Sequence, residues 1–164
     1  SLGGFGVGRI DPLLDGLRSI TPPVQVLAMC GKNEELKSRL DSEPADAKGV
    51  RVIPVGYTSD MDEYMSASDL IVGKPGGLTA CEALAKGLVF VIANPIPGQE
   101  ERNSDHLLEQ GCAIRSNNPA TLGYKIQQLL NDSDRFSVMR NNALNFARTN
   151  AAFDIADKLT DLAK

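Results

Sequence analysis

The sequence predicts an α/β fold, a Rossmann-like parallel sheet with helices on both faces. Short apolar runs suited to buried strands alternate along the chain with longer segments of helical periodicity. Polar loops rich in glycine follow several of these runs. The clearest unit is 70–103, where an apolar run, a glycine turn, a helix-type segment, a second apolar run and a loop succeed one another. In open sheets of this class the ligand binds at the carboxyl ends of the strands.

The apolar pattern assigns the elements in order along the chain. Strands are expected at 24–29, 50–55, 70–72, 89–93 and 113–114. Helices are expected within 9–20, from the cap Asn33 to residue 40, and in a short segment that ends at residue 66. Further helices are expected over 79–86, 99–110, 119–130, 134–150 and 154–162. In the segment 79–86, Thr79 is the expected N-cap, and Glu82 three residues later completes the pattern of a capping box.

Composition excludes several classes of protein. The chain has 164 residues, 42% of them hydrophobic and 23% charged, which suits one folded domain with a real core. The net charge of −4 gives no general attraction for nucleic acid or an anionic membrane. No apolar run reaches the ~20 residues of a membrane span, and no signal-peptide pattern follows Ser1. We therefore expect a cytoplasmic protein with no nucleic-acid partner.

The cysteines and the single histidine argue against a metal site. Cys30, Cys81 and Cys112 are odd in number and far apart, so we expect reduced, buried thiols. With one histidine, His106, and no close cysteine pair, a structural zinc site is disfavoured. We expect neither a metal nor a cofactor.

The glycine-rich start SLGGFGVG does not form a dinucleotide-binding fingerprint. In the frame that begins at Gly4, Arg9 stands where the third glycine would be required. No acidic residue ends the run 24–29, where a ribose-binding carboxylate would be expected. A nicotinamide site is therefore disfavoured. Such a start normally follows a buried strand, so Ser1 looks like a cut inside a longer chain.

Two linked motifs carry a family resemblance. The run GKPGGLTACEALAKG at 73–87, followed by PGQEERN at 97–103, resembles the donor-binding half of GT-B glycosyltransferases. The resemblance is closest to the family that holds MurG, plant monogalactosyldiacylglycerol synthases and bacterial diacylglycerol glucosyltransferases. The PGQE segment is more similar to the diacylglycerol enzymes than to MurG. Val89 departs from the family, which usually has proline there.

The resemblance implies a function for the whole of 1–164. It implies one UDP-sugar-binding domain whose amino-terminal acceptor domain is absent. The activity implied is transfer of a hexose to a lipid such as diacylglycerol, with peripheral membrane association only in the full-length protein, at its cytoplasmic face. Three alternatives stay open: the MurG role in peptidoglycan synthesis, a UDP-sugar 2-epimerase, and a nucleotide-sensing module without enzymatic activity.

The glycine turn and the loops before it are candidates for nucleotide binding. The glycines Gly76 and Gly77 lack a Cβ, so a ligand can approach the backbone and φ can be positive. The N–H groups and dipole of the helix at Thr79 suit a phosphate. The resemblance also places Gly4 and Gly6 at the diphosphate, Lys32 near the base and phosphates, and Thr58 at the uracil through its main chain. Each of these residues can also be explained without a ligand, as part of a turn, as a helix cap or as a solvated side chain.

Carboxylate and amide side chains are candidates for the ribose and the sugar. Glu82 can accept hydrogen bonds from both ribose hydroxyls. Gln99 and Glu100 can bond to sugar hydroxyls, and Asn103, one turn after Gln99, lies on the same side of its helix. Without a ligand, the segment 99–102 can be explained as a solvated helix start, where acidic residues suit the helix dipole.

The sequence supplies no convincing catalytic base. His106 follows the sugar-binding loop on a helix, and the resemblance implies that the base lies in the other domain. Many retaining GT-B enzymes carry a second glutamate eight positions before the one that matches Glu82. Lys74 stands at that position here, which favours an inverting enzyme.

Overall fold

The computed structural model describes residues 10–21, 24–43 and 50–163. The strands are β1 (Val24–Gly31), β2 (Val50–Gly56), β3 (Leu70–Gly73), β4 (Val89–Ile92) and β5 (Ala113–Arg115). The helices are α1 (Asp11–Leu17), α2 (Glu34–Asp41), α3 (Met61–Ser66), α4 (Gly77–Ala85), α5 (Gln99–Glu109), α6 (Pro119–Leu130), α7 (Ser133–Phe146) and α8 (Ala151–Leu162).

Every strand pairing in the described part of the chain is parallel. β1 pairs with β2, and β3, β4 and β5 form a second section in that order. At the carboxyl ends, Gly31 stands opposite Gly56, while Gly73, Ile92 and Arg115 stand side by side. The loops that follow β3, β4 and β5 therefore leave from one edge. The α/β class is confirmed, with its sheet paired in two sections.

The alternation of β4 shows that helices cover both faces. Phe90 and Ile92 pack into a cluster that includes Leu84 of α4 and Leu107 of α5. Val91 points the other way, into a cluster that also contains residues of α1, α6, β1, β2 and β3. Successive strand residues face opposite sides of a sheet, so each face of β4 is buried under its own helices. The second cluster joins the two sections of the sheet.

Several predicted helix boundaries are confirmed. The side chain of Asn33 accepts a hydrogen bond from the N–H of Leu36 at 2.9 Å and caps α2. Pro119 starts α6, where its missing N–H costs nothing. The helix predicted for 134–150 is shorter, because Ala147 adopts extended angles after Phe146 and a new helix begins at Ala151.

The predicted capping box at Thr79 and Glu82 is wrong. The helix begins two residues earlier, at Gly77, with Gly76 as its N-cap and no side-chain capping bond. Pro75, which precedes this cap, is buried, and its carbonyl accepts a hydrogen bond from Asn103 on α5. A tertiary contact thus accompanies the start of α4, and a local pattern cannot reveal such a contact.

The expectation of three buried thiols is also wrong for one residue. Cys30 and Cys112 are buried, whereas Cys81 is exposed, and all three are free. The helix α4 turns Ala80, Ala83 and Leu84 inward, which leaves Cys81 on its outer side.

The last helix lies with its side chains largely open to solvent in the described part of the chain. α8 contains no buried residue. The predicted apolar stripe is present, and its members Ile155, Leu159 and Leu162 are 60%, 62% and 75% exposed. Among the described residues, no helix combines the length and apolar character needed to cross a membrane.

The close crossing of α1 and α6 generates a stability prediction. A Cβ at Gly123 would overlap the carbonyl oxygen of Gly16. We expect Gly123→Ala to lower the free energy of unfolding by about 1–3 kcal/mol, because the two backbones must move apart. The measurement is urea unfolding.

A matched control for this prediction is Gly76→Ala. A Cβ at Gly76 meets no atom within 4 Å, and its angles of φ −63 and ψ 146 suit alanine. Its unfolding midpoint should stay near that of the wild type. Equal midpoints for the two variants would contradict the close crossing.

Candidate functional site

Open backbone N–H groups mark the start of α4. The first intrahelical hydrogen bond runs from the N–H of Ala80 to the carbonyl of Gly76 at 2.8 Å. The N–H groups of Gly77, Leu78 and Thr79 therefore have no partner among the described residues, as is usual at a helix start. Together with the helix dipole, they form a position suited to a phosphate or another anion.

The two glycines of this turn leave free space in front of the backbone and do not adopt unusual backbone angles. A Cβ added at Gly76 or Gly77 would meet no atom within 4 Å. Neither glycine has a positive φ, so that part of the expectation is wrong. What the missing side chains provide is an unobstructed approach to the N–H groups of the helix start.

Glu82 is exposed on the second turn of α4. At 1.5 Å per residue, it lies about 7.5 Å along the helix from Gly77. Its carboxylate makes no hydrogen bond or ion pair within the described ranges. The structure therefore assigns it no capping or packing role, and both carboxylate oxygens can accept hydrogen bonds from a ligand.

The loop between β4 and α5 is held by one of the predicted sugar-binding residues. Glu100 accepts a hydrogen bond from the N–H of Ile96 at 2.6 Å through Oε2. Gly98 has a φ of 101, a conformation that favours glycine. Gln99 is exposed and has no side-chain partner in the described segments. Glu100 thus has a structural role in its loop, whereas the described residues give Gln99 no such role.

Two side chains tie the first turns of α5 to neighbouring strands. Asn103 donates from Nδ2 to the carbonyl oxygen of Pro75 at 2.9 Å. Arg115, at the end of β5, donates to both carboxylate oxygens of Glu101 at 2.7 and 2.9 Å. Glu101 and Arg115 were missed at the level of sequence. Their pairing depends on β4 and β5 lying side by side, and no local signal indicates it.

Lys32 and Thr58 follow the carboxyl ends of β1 and β2. The ammonium of Lys32 lies 5.5 Å from the centre of the Tyr57 ring, within the range of a cation–π contact. The hydroxyl of Thr58 accepts a hydrogen bond from the N–H of Asp60 at 3.0 Å. The side chain of Thr58 therefore stabilises its own turn. The main chain of Thr58 stays available for the predicted contact with uracil. Gly4 and Gly6 lie outside the described residues.

His106 lies away from the glycine turn. It lies seven positions after Gln99, or about 10 Å along α5, towards the amino ends of the strands. Its ring is in edge contact with Phe146 at the end of α7, with 4.9 Å between ring centres. This contact supports the interpretation of His106 as a packing residue, and the absence of a base from this chain stays a prediction.

The remaining groups with reactive or metal-binding chemistry have structural explanations. Burial raises the pKa of the thiols of Cys30 and Cys112, so both stay protonated at neutral pH. Asp132, in an Asp-x-Asp spacing with Asp134, caps α7 by accepting from the N–H of Arg135. Within the described ranges, no group of three or more histidine, cysteine or acidic residues could hold a metal ion.

Comparison with known proteins decides the family. The model of the family Glycosyl transferases group 1 matches residues 9–146. The chain belongs to this family.

Curated relatives are longer than this glycosyltransferase chain. It is 34% identical over 140 residues to the processive diacylglycerol beta-glucosyltransferase of Staphylococcus saprophyticus, a match that covers 85% of this chain and 35% of the relative. The protein of the same name from Staphylococcus aureus is 30% identical over 162 residues, covering 96% of this chain and 41% of the relative. The chain therefore spans little more than a third of these relatives.

Solved structures agree on the fold. The Acinetobacter baumannii MurG structure superposes with a TM-score of 0.79 at 22% identity, covering 98% of this chain and 47% of that one. WaaG, a glycosyltransferase involved in lipopolysaccharide biosynthesis, superposes with a TM-score of 0.64 at 17% identity, covering 96% and 44% of the two chains. At these identities the likeness establishes the GT-B-type fold alone.

The bond between Glu100 and Ile96 generates a prediction about the loop before α5. We expect Glu100→Ala to speed hydrogen exchange at the Ile96 amide, because its acceptor is lost. Glu100→Gln, which keeps an acceptor oxygen, should retain most of the protection. The measurement is amide exchange by NMR. Unchanged protection in Glu100→Ala would show that the loop does not depend on this side chain.

Proposed function

We propose that this chain is the UDP-sugar-binding part of an inverting glycosyltransferase. The observation that carries the proposal is the open start of α4, with Glu82, whose carboxylate has no partner in the part of the chain that the structure describes, further along the same helix. Gln99, whose side chain also lacks a partner within the described ranges, begins the next helix, after the neighbouring strand β4. Membership of the glycosyltransferase family supports the same assignment.

Each part of a UDP-sugar finds suitable chemistry in this arrangement. The N–H groups of Gly77, Leu78 and Thr79 face the diphosphate, where hydrogen bonds to a charged group are strong. The carboxylate of Glu82 accepts from the ribose hydroxyls. Gln99 bonds to the sugar hydroxyls, assisted by the free oxygen of Glu100. The main chain at Thr58 contacts the uracil, and Lys32 lies beside it.

The proposed reaction is a direct displacement at the sugar. A base removes the proton from the acceptor hydroxyl, the oxygen attacks the anomeric carbon, and UDP leaves with its bonding electron pair. The open N–H groups of α4 stabilise the negative charge that develops on the diphosphate. Lys74, eight positions before Glu82, stands where many retaining GT-B enzymes carry a glutamate, and this difference supports inversion.

The acceptor side of the reaction belongs to a proposed second domain. The relatives that match this chain are named diacylglycerol beta-glucosyltransferases, so we propose a hexose donor and a lipid acceptor such as diacylglycerol. Their matched parts are only 35% and 41% of their lengths, which leaves room for an acceptor domain. The exposed apolar stripe of α8 would suit contact with such a domain. In the full-length protein, we propose association with the cytoplasmic face of a membrane.

A binding screen tests the donor assignment. We expect UDP and at least one of UDP-glucose, UDP-galactose and UDP-N-acetylglucosamine to bind, and NAD not to bind, in isothermal titration calorimetry. Glu82→Ala should weaken UDP binding by about 1–3 kcal/mol, the range for lost hydrogen bonds to a charged group. Binding of NAD with no response to UDP would reverse the assignment.

The role of Glu82 has its own control. Because its carboxylate has no partner among the described residues, Glu82→Ala should leave the unfolding midpoint unchanged. The variant should bind a 2′,3′-dideoxy analogue of UDP as tightly as the wild type does. An equal loss of affinity for UDP and for the analogue would remove Glu82 from the ribose.

Because the proposed catalytic base and acceptor site lie in a second domain, we predict that this chain alone transfers no sugar. A missing general base typically costs about 10²–10⁴-fold, and lost positioning of the acceptor costs more. The measurement is a radiolabelled-sugar assay with diacylglycerol in detergent micelles, run on this chain and on a longer polypeptide extended upstream. Glycolipid formation by this chain, abolished by His106→Ala, would contradict the two-domain proposal and make His106 the base.

A further inference from the structure

The first turns of α5 are held from both sides of β4. Asn103 reaches the turn after β3 through its bond to Pro75 at 2.9 Å. Glu101 reaches the end of β5 through its paired bonds with Arg115. Since β4 lies between β3 and β5, the helix that follows β4 is tied to the ends of both neighbouring strands. The bond on the β3 side leads directly to the open N–H groups.

The chemistry of the bond fixes the orientation of the Asn103 amide. A carbonyl oxygen only accepts, so Nδ2 and not Oδ1 must face Pro75. The carbonyl of Pro75 belongs to the same peptide unit as the N–H of Gly76, which donates to the carbonyl of Lys74 at 2.9 Å. The carbonyl of Gly76 accepts the first helical bond of α4, from Ala80. Asn103 therefore holds the peptide plane from which α4 starts.

The same side chain stands close to the proposed sugar end. Gln99 lies four residues before Asn103 on α5, one turn away on the same side of the helix. A bond from this side of α5 to the turn before α4 joins the two regions assigned to the sugar and to the diphosphate.

We infer that Asn103 is a positioning residue of the donor site. It orients the N–H groups of Gly77, Leu78 and Thr79 for a diphosphate, and it holds them in register with Gln99 at the start of α5. This inference rests on the proposed function and adds to the predicted contact between Asn103 and the sugar, for which the amide keeps a second N–H and its Oδ1. The ligand class concerned is a nucleoside diphosphate, because only the diphosphate meets the turn that Asn103 supports.

The chain offers a matched control in Asn142. This residue of α7 is half-buried like Asn103, and its Nδ2 donates to the carbonyl oxygen of Gly111 at 3.2 Å. Gly111 follows the last turn of α5, at the end opposite to the proposed site. Loss of this bond removes a side chain–backbone contact of the same kind without touching the turn before α4.

The experiment compares Asn103→Leu with Asn142→Leu. Leucine has the same number of side-chain heavy atoms and the same branch at Cγ as asparagine, lacks the donor and adds no charge that would itself repel a phosphate. UMP, UDP and UDP-glucose are titrated by calorimetry into the wild-type 164-residue chain and into each variant of it. Hydrogen exchange at the Ala80 amide, measured without ligand, reports on the start of α4 independently of binding.

The expected result separates positioning from general stability. Asn103→Leu should bind UDP about ten-fold more weakly, UDP-glucose at least as much more weakly, and UMP with a smaller loss, since UMP lacks the β-phosphate. The Ala80 amide should exchange faster in this variant. Asn142→Leu should lower the unfolding midpoint and leave the three affinities and the Ala80 exchange near those of the wild type.

Other outcomes would overturn the inference in distinct ways. Weaker binding of UDP-glucose with unchanged UDP would show that Asn103 contacts the sugar itself. Unchanged exchange at Ala80 would show that the bond does not hold the start of α4. Equal losses of nucleotide affinity in the two variants would show that the effect is general destabilisation. A wild-type chain that binds none of the three nucleotides would overturn the proposed function. In that case, faster exchange at Ala80 in Asn103→Leu would leave the bond a structural one only.

Discussion

Burial of β4 on both faces is the constraint on which the rest of the structure depends. Its four residues are 0–1% exposed, as are Leu88 before it and Ala93 after it. A strand with two apolar faces must be covered on both sides, and parallel neighbours require helical crossovers to return the chain. The positions of α4 and α5 follow from this requirement. So does the common edge at which the loops after β3, β4 and β5 emerge.

The candidate site uses what this architecture leaves unsatisfied. A helix start always leaves N–H groups without intrahelical partners. At α4 these groups have no partner in the described part of the chain, and the glycines there place no Cβ in front of them. At α5 the corresponding region is braced instead, by Glu100, Glu101 and Asn103. The start of α4 therefore has open N–H groups, whereas the start of the neighbouring helix α5 is held by side-chain hydrogen bonds.

The distinction between binding and bracing residues follows from hydrogen-bond partners. Glu82 and Gln99 have side chains without partners in the described segments, so any function they have must involve something outside them. Asn103 was predicted from the same motif as Gln99, yet its amide is already bonded to Pro75. A sequence motif records which residues a site requires. It does not separate those that touch the ligand from those that hold the residues that do.

The sequence by itself determined the fold class and the order of the strands and helices, and it predicted the stretch 70–103 as the centre of the candidate site. It did so because apolar periodicity and turn residues report burial and direction locally. Tertiary structure alone decided that α4 begins at Gly77, that Cys81 faces outward and that Glu101 pairs with Arg115. The bond from Asn103 to Pro75 joins residues 28 positions apart, and it exists only because α5 and the turn after β3 meet at one edge of the sheet. Contacts of that kind depend on strand order and register, which no local pattern contains.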